Sequence, residues 1–206
     1  MRLAVAPSRR LPTAVAWNPD VLSLVDYETT YAEDLHHGYC APRFTLPGLH
    51  VPLVAISAHL TPYSAQAAAQ EAQLLNARTY RHSGVAVIAG DINHVPLSDL
   101  EPDWTLVQPY NRASRCRRRK SVDEPWQSDP IVGEVLRDAD FVDVVAAGPT
   151  GKAGLVRVDQ AHVTPALTPA IADYWVVDPG SCSDHYGIAI KLDLEHVDQA
   201  RVPEYT

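Results

Sequence analysis

The sequence predicts an α/β fold, with helices layered on a mixed sheet, and three observations carry that reading. Two nearly continuous apolar runs, residues 52–58 and 85–89, have the pattern of strands buried on both faces. Between them, residues 65–80 combine alanine, glutamine and leucine into a segment of high helix propensity. Hairpin-like pairs of strand candidates elsewhere in the chain suggest that the sheet is mixed.

Taken in chain order, residues 13–17 and 21–27 read as two strands around the turn Asn18-Pro19-Asp20, where Asn-Pro starts a turn and Asp20 bonds nearby backbone. A loop containing His36-His37-Gly38 follows, and then the buried run 52–58. The helix has Ser64 as its N-cap and Gly84 just past its end, with Ala68, Ala72 and Leu75 as a narrow apolar stripe beside Leu74. The run 85–89 stops abruptly at Gly90-Asp91. Residues 92–130 are loop-rich, with five prolines. A short helix over 131–139 leads into a strand over 141–145. The last third offers strands over 155–163, 171–177 and 188–194.

At 206 residues, 46% of them apolar and 20% charged, the chain is expected to be one domain, 1–206, with a substantial core. No run of about 18 apolar residues suggests a membrane span. The stretch from Met1 to Ser8 is too short and weakly apolar for a secretory leader, so a cytoplasmic location is expected. Cys40, Cys116 and Cys182 form no CxxC pair, which favours reduced thiols over disulfides or structural zinc. A net charge of -8 disfavours broad attraction to polyanions. Against that trend, Arg112, Arg115, Arg117, Arg118, Arg119 and Lys120 crowd into nine residues. Two readings fit them, a solvated basic loop and a phosphate-facing loop beside an active site.

Ligand-type residues sit directly at the ends of apolar strands in four places: Ala58-His59-Leu60, Gly90-Asp91-Ile92-Asn93, Arg157-Val158-Asp159 and Ser183-Asp184-His185. In α/β folds such ends line the binding crevice. Each motif has a plain structural explanation when taken alone. His59 could be a hydrogen-bonded boundary residue, Gly90-Asp91 a turn, Asp159 a partner of Arg157, and Ser183-Asp184 a cap.

In this order, the four motifs resemble the signature series of the endonuclease/exonuclease/phosphatase (DNase-I-like) superfamily, and the resemblance covers roughly residues 13–194. It implies a four-layered α/β sandwich with mixed sheets and a phosphoesterase activity that uses Mg²⁺ or Mn²⁺. Asp91 would activate water, and Asn93 would hold the phosphate. His59 and His185 would donate hydrogen bonds to phosphate oxygens, and Asp159 would orient His185. Asp184, with Asp91 and Asn93, would lie at the metal. Such chemistry has physical sense: hard oxygen donors suit these cations, which neutralise an anionic phosphate and activate water. The substrate would be a phosphoester, either nucleic acid or a small molecule or lipid.

Family members begin with a strand carrying asparagine, followed by a buried strand ending in the glutamate that anchors the metal. Neither segment is evident before residue 13, so an N-terminally truncated member lacking the first strands and helix is expected. Glu28 and Glu33 lie after the second hairpin strand and are poor replacements. The competing expectation is a catalytically degenerate member that binds a phosphorylated ligand or a protein without turnover. His36 and His37, adjacent on an extended chain, should point apart and belong to the loop surface. Tyr63 is expected to pack.

Overall fold

The computed structural model describes residues 1–8, 10–144, 149–150 and 156–202. Its strands are β1 (Arg2–Val5), β2 (Ala14–Trp17), β3 (Ser23–Glu28), β4 (Ala41–Thr45), β5 (Leu53–His59), β6 (Ala86–Asp91), β7 (Val142–Asp143), β8 (Asp159–Val163), β9 (Ile171–Val177) and β10 (Gly187–Leu192). Its α-helices are α1 (Ala65–His82), α2 (Pro109–Arg115) and α3 (Ile131–Asp138). Six strands form the central sheet in the order β3-β4-β5-β6-β8-β7, while β1-β2 and β9-β10 form separate two-stranded ladders. The sheet is mixed, because β5 and β6 run parallel and their neighbours antiparallel.

The β5–α1–β6 unit forms where the apolar runs and helix propensity placed it. Ser64 caps α1, its hydroxyl accepting from Ala67 N–H at 3.3 Å. At the other end Gly84 adopts φ 79°, turning the chain into β6. The expected stripe of Ala68, Ala72 and Leu75 is fully buried.

Strand periodicity then divides the core into two faces. Val54, Ile56 and Ala58 of β5, with Ala86 and Ile88 of β6, face α1 and α3. Leu53 of β5, Val87 and Ala89 of β6, and Ala161 and Val163 of β8 face the β9-β10 ladder through Tyr174, Ile188 and Ile190. Burying each large side chain such as Leu75 or Ile88 contributes about 1.5–3 kcal/mol relative to exposure. The β1-β2 ladder docks by Trp17 on Phe44, ring centroids 5.4 Å apart and edge-to-face. Among the described residues, no helix is long and apolar enough to cross a membrane.

Five local expectations need correction. Residues 13–17 are not the first strand: β1 precedes them, and its Leu3 and Ala4 pair with Ala16 and Val15. The strands over 13–17 and 21–27 exist but do not pair with each other, because β2 joins β1 whereas β3 joins β4. Strand β4 lies within the segment read as loop, where Pro42 obscures a strand pattern. The loop-rich middle contains α2, so part of the basic segment is helical. The strands expected over 141–145 and 155–163 are each shorter, and residues 145 and 155 lie outside the described residues.

Candidate active site

Sheet register brings three of the motifs into one row. His59 is paired with Asp91 across the parallel β5–β6 ladder, and Asp91 with Asp159 across the antiparallel β6–β8 ladder. All three share the strand parity of Val87, Ala89 and Ala161, so they occupy the face away from α1 and α3. His59 and Asp91 end their strands, and Asp159 begins its own, so the row lies at one edge of the sheet. Gly90 makes this alignment possible. Its φ is 140°, and a Cβ there would come within 2.1 Å of the Ala58 carbonyl oxygen.

His185 arrives from the segment before β10. Its ring donates from Nδ1 to Asp159 Oδ2 at 2.8 Å, which leaves Nε2 available for a ligand. Thr150 holds this segment beside β8. Its hydroxyl accepts from Val158 N–H and Asp159 N–H at 3.0 and 2.8 Å, while its carbonyl accepts from Tyr186 N–H at 2.7 Å. Asp159 does not pair with Arg157. The arginine is buried and bridges Asp99 and Asp143 at 2.9 and 2.5 Å.

Asn93 is buried in a left-handed conformation, φ 63°. Its backbone N–H donates to Asp91 Oδ1 at 2.9 Å, and its side-chain amide donates to the Leu60 carbonyl at 2.9 Å. The Arg115 guanidinium donates to Asn93 Oδ1 at 2.7 Å and also to its backbone carbonyl. Asn93 therefore shapes the turn after β6 and carries a cation next to Asp91. Asp184 is exposed. Glu28 is engaged elsewhere, by Arg78 and His82, each at 3.4 Å.

The histidine pair overturns the loop-surface expectation. His37 is buried and stacks on His59, with centroids 3.7 Å apart and an interplanar angle of 20°. Its Nδ1 donates to the Leu11 carbonyl at 3.1 Å. His36 meets His37 edge-on at 4.4 Å and Tyr63 at 5.3 Å. Glu71 on α1 ties this loop to the end of β5, one carboxylate oxygen accepting from His36 N–H at 2.6 Å and the other from Thr61 N–H at 2.7 Å. No sequence signal identified His37, because its role depends on a stacking partner 22 residues away in the chain.

Burial dominates the electrostatics. Desolvation, then the neighbouring Asp159 carboxylate, pushes the Asp91 carboxyl up to about 6, against the opposing pull of His185, the Asn93 N–H and Arg115. Desolvation, followed by the charges of His37, His185 and His36, brings His59 down to about 4. His59 is therefore neutral at pH 7, and at 3.6 Å from Asp91 Oδ2 it lies outside hydrogen-bond range.

Asp91, Asp159 and His185 each offer a ligand atom, all within 4.8 Å of one another. Two carboxylate oxygens and an imidazole nitrogen suit a divalent cation such as Mg²⁺ or Mn²⁺. The crowding that raises the Asp91 pKa is what a cation would relieve, so the donor set fits a metal. It differs from the set implied by resemblance. Asp91 is common to both, whereas Asn93 is held by Leu60 and Arg115, and Asp184 is not in the cluster.

No family model and no curated protein matches the sequence. Solved structures do match in fold. The endonuclease domain of TRAS1, a telomere-specific non-LTR retrotransposon, superposes with a TM-score of 0.64 at 12% identity, over 94% of this chain and 79% of its own. The 3' phosphatase NExo from Neisseria, bound to product DNA hairpin, gives 0.58 at 16% identity, over 84% of this chain and 72% of its own. An AP endonuclease from Archaeoglobus fulgidus gives 0.56 at 14% identity, over 93% and 79%. The fold is therefore DNase-I-like, as the motif series implied.

Proposed function

We propose that this chain is a divalent-metal-dependent phosphoester hydrolase of the endonuclease/exonuclease/phosphatase superfamily, organised as one domain. The supporting observation is the convergence of His59, Asp91, Asp159 and His185 at one edge of a DNase-I-like sheet. Four motifs dispersed over more than 120 residues meet there, which accidental similarity would not require. The likeness to nucleases and phosphatases supports the same reading by analogy of fold.

Asp91, Asp159 and His185 would hold the cation, and Mg²⁺ or Mn²⁺ there would neutralise phosphate charge and lower the pKa of bound water. Ionised Asp91 orients the attacking water and accepts its proton. His59, neutral and half-buried, donates one hydrogen bond to a phosphate oxygen. His185, held by Asp159 through Nδ1, would turn the lone pair of Nε2 to the cation. Arg115 and Asn93 keep a positive group near Asp91 and hold the turn that carries it. Asp184, exposed beside His185, has a lesser role at the rim.

Hydrolysis of bis-p-nitrophenyl phosphate with Mg²⁺ or Mn²⁺ tests the assignment. Turnover should require the cation, fall by about 10²–10³ or more in Asp91→Ala and His185→Ala, and fall far less in Asp184→Ala. Turnover that survives both of the first two changes would eliminate this mechanism. Phosphate-ligand binding without any turnover would instead establish the degenerate, binding-only reading.

A further inference from the structure

The six-residue basic segment divides into two groups of three. Arg112 donates to the Trp104 carbonyl at 3.3 Å and stacks over Trp126 at 5.2 Å. Arg115 is committed to Asn93. Arg119 lies 3.9 Å over Trp126 and donates to the carbonyls of Val122 and Glu124 at 2.8 and 3.0 Å. These three build the segment. Arg117, Arg118 and Lys120 are exposed, and among the described residues none forms an ion pair.

Two adjoining clefts collect these free cations. One, of about 460 Å³, has both Tyr63 and Arg118 in its lining. The second, of about 470 Å³, is lined by Arg117, Arg118, Lys120 and Trp126. Arg118 belongs to both, so the two run together. Two chains of contacts place the first cleft beside the active site. Tyr63 meets His36, which meets His37, which stacks on His59. In the same lining, Ser114 and Cys116 flank in sequence the Arg115 that binds Asn93. Asp129, the acidic residue of that lining, accepts from Gln66 at 2.9 Å and from the Ile131 N–H at 3.2 Å.

The geometry points to a docking track for a nucleic-acid strand, which enters the hydrolytic site from the Arg117–Arg118–Lys120 cleft. This inference rests on the phosphoesterase reading and names its substrate class. A small phosphoester needs only the row of His59, Asp91, Asp159 and His185, whereas successive backbone phosphates need cations spaced away from it. Tyr63, 73% exposed in the cleft lining, offers a face on which a base can stack. The overall charge of -8 does not prevent this, because charges beyond about 8 Å are largely screened at physiological salt, leaving the local cations to dominate.

The test compares the wild-type chain with the triple variant Arg117→Ser/Arg118→Ser/Lys120→Ser. Probes are fluorescein-labelled 12-nucleotide single-stranded DNA and RNA, read by anisotropy in EDTA, with phosphoinositide-containing vesicles as the competing polyanion. The wild type should bind a strand at least tenfold more tightly than the variant, and its log–log salt slope should be steeper by about two. Hydrolysis of bis-p-nitrophenyl phosphate should stay within twofold in the variant, which shows that the fold and the reacting row are intact. Equal strand binding by both proteins, no strand binding by the wild type, or preferential binding of the vesicles would each overturn the proposal. Strand binding without hydrolysis by either protein would support the track and count against the phosphoesterase reading alone.

Discussion

The two halves of the candidate site are held in place by different means. His59, Asp91 and Asp159 are placed by continuous ladders within a six-stranded sheet, each residue opposite the next. His185 belongs to the other layer, just before β10, and is recruited by local bonds to Asp159 and through Thr150 to the start of β8. The contrast shows that the carboxylate row is over-determined by the fold, while the imidazole depends on a few contacts. Changes to the residues that support the sheet side should therefore register first as stability, and changes to those that support the loop side first as rate.

The largest expected effect breaks the sheet side. Arg157→Ala leaves Asp99 and Asp143 partly buried without their cation, and should cost about 3–5 kcal/mol in urea unfolding. A loss below about 1 kcal/mol would show that this network does not anchor β8. On the loop side, Thr150→Val removes the hydroxyl that satisfies two N–H groups, one of them buried, while leaving the carbonyl bond to Tyr186. The expected cost is about 2 kcal/mol, with a drop in turnover that exceeds what partial unfolding explains. Unchanged kinetics in the folded variant would mean that Thr150 does not place His185.

The smallest effect has the opposite sign. Asp91→Asn removes a buried charge facing Asp159, so with a chelator present the variant should be more stable than the wild type by on the order of 1–2 kcal/mol at pH 7. The pH dependence follows from the raised pKa of about 6 against the ordinary 3.8. Above 6 Asp91 is ionised in the folded protein and the advantage of asparagine is complete. It shrinks as pH falls through the interval and is absent below 3.8, where the aspartic acid is neutral in both folded and unfolded chains. A variant that is less stable throughout would contradict the crowded-carboxylate account.

Much of the sheet side was legible in the sequence, because its signals are local. Ser64, the Ala68–Ala72–Leu75 stripe and the apolar runs specify the β5–α1–β6 unit, and Gly90-Asp91 marks a strand end. Strand parity then follows from period two. What was not legible depends on long-range contact. Strand β1 is four residues with one buried position, too weak a pattern to read without its partner. Pro42 disguised β4. His37 acquires meaning only by stacking on His59, and Arg115 is distinguished from five neighbouring cations only by reaching Asn93. The resemblance implied His59, Asp91, Asn93, Asp159 and His185 as a catalytic set, with Asp91, Asn93 and Asp184 at the metal; the geometry brings ligand atoms of Asp91, Asp159 and His185 within 4.8 Å of one another.

The central claim is that the register-held row and the loop-borne imidazole form one hydrolytic unit, and a double-mutant cycle tests it most directly. The kcat/KM for Mn²⁺-dependent hydrolysis of bis-p-nitrophenyl phosphate is measured for the wild type, Asp159→Ala, His185→Ala and the double variant. The account predicts a loss of about 10² or more in each single variant, and a double variant no slower than the worse of the two. Losses that multiply, or a wild type without cation-dependent turnover, would contradict it.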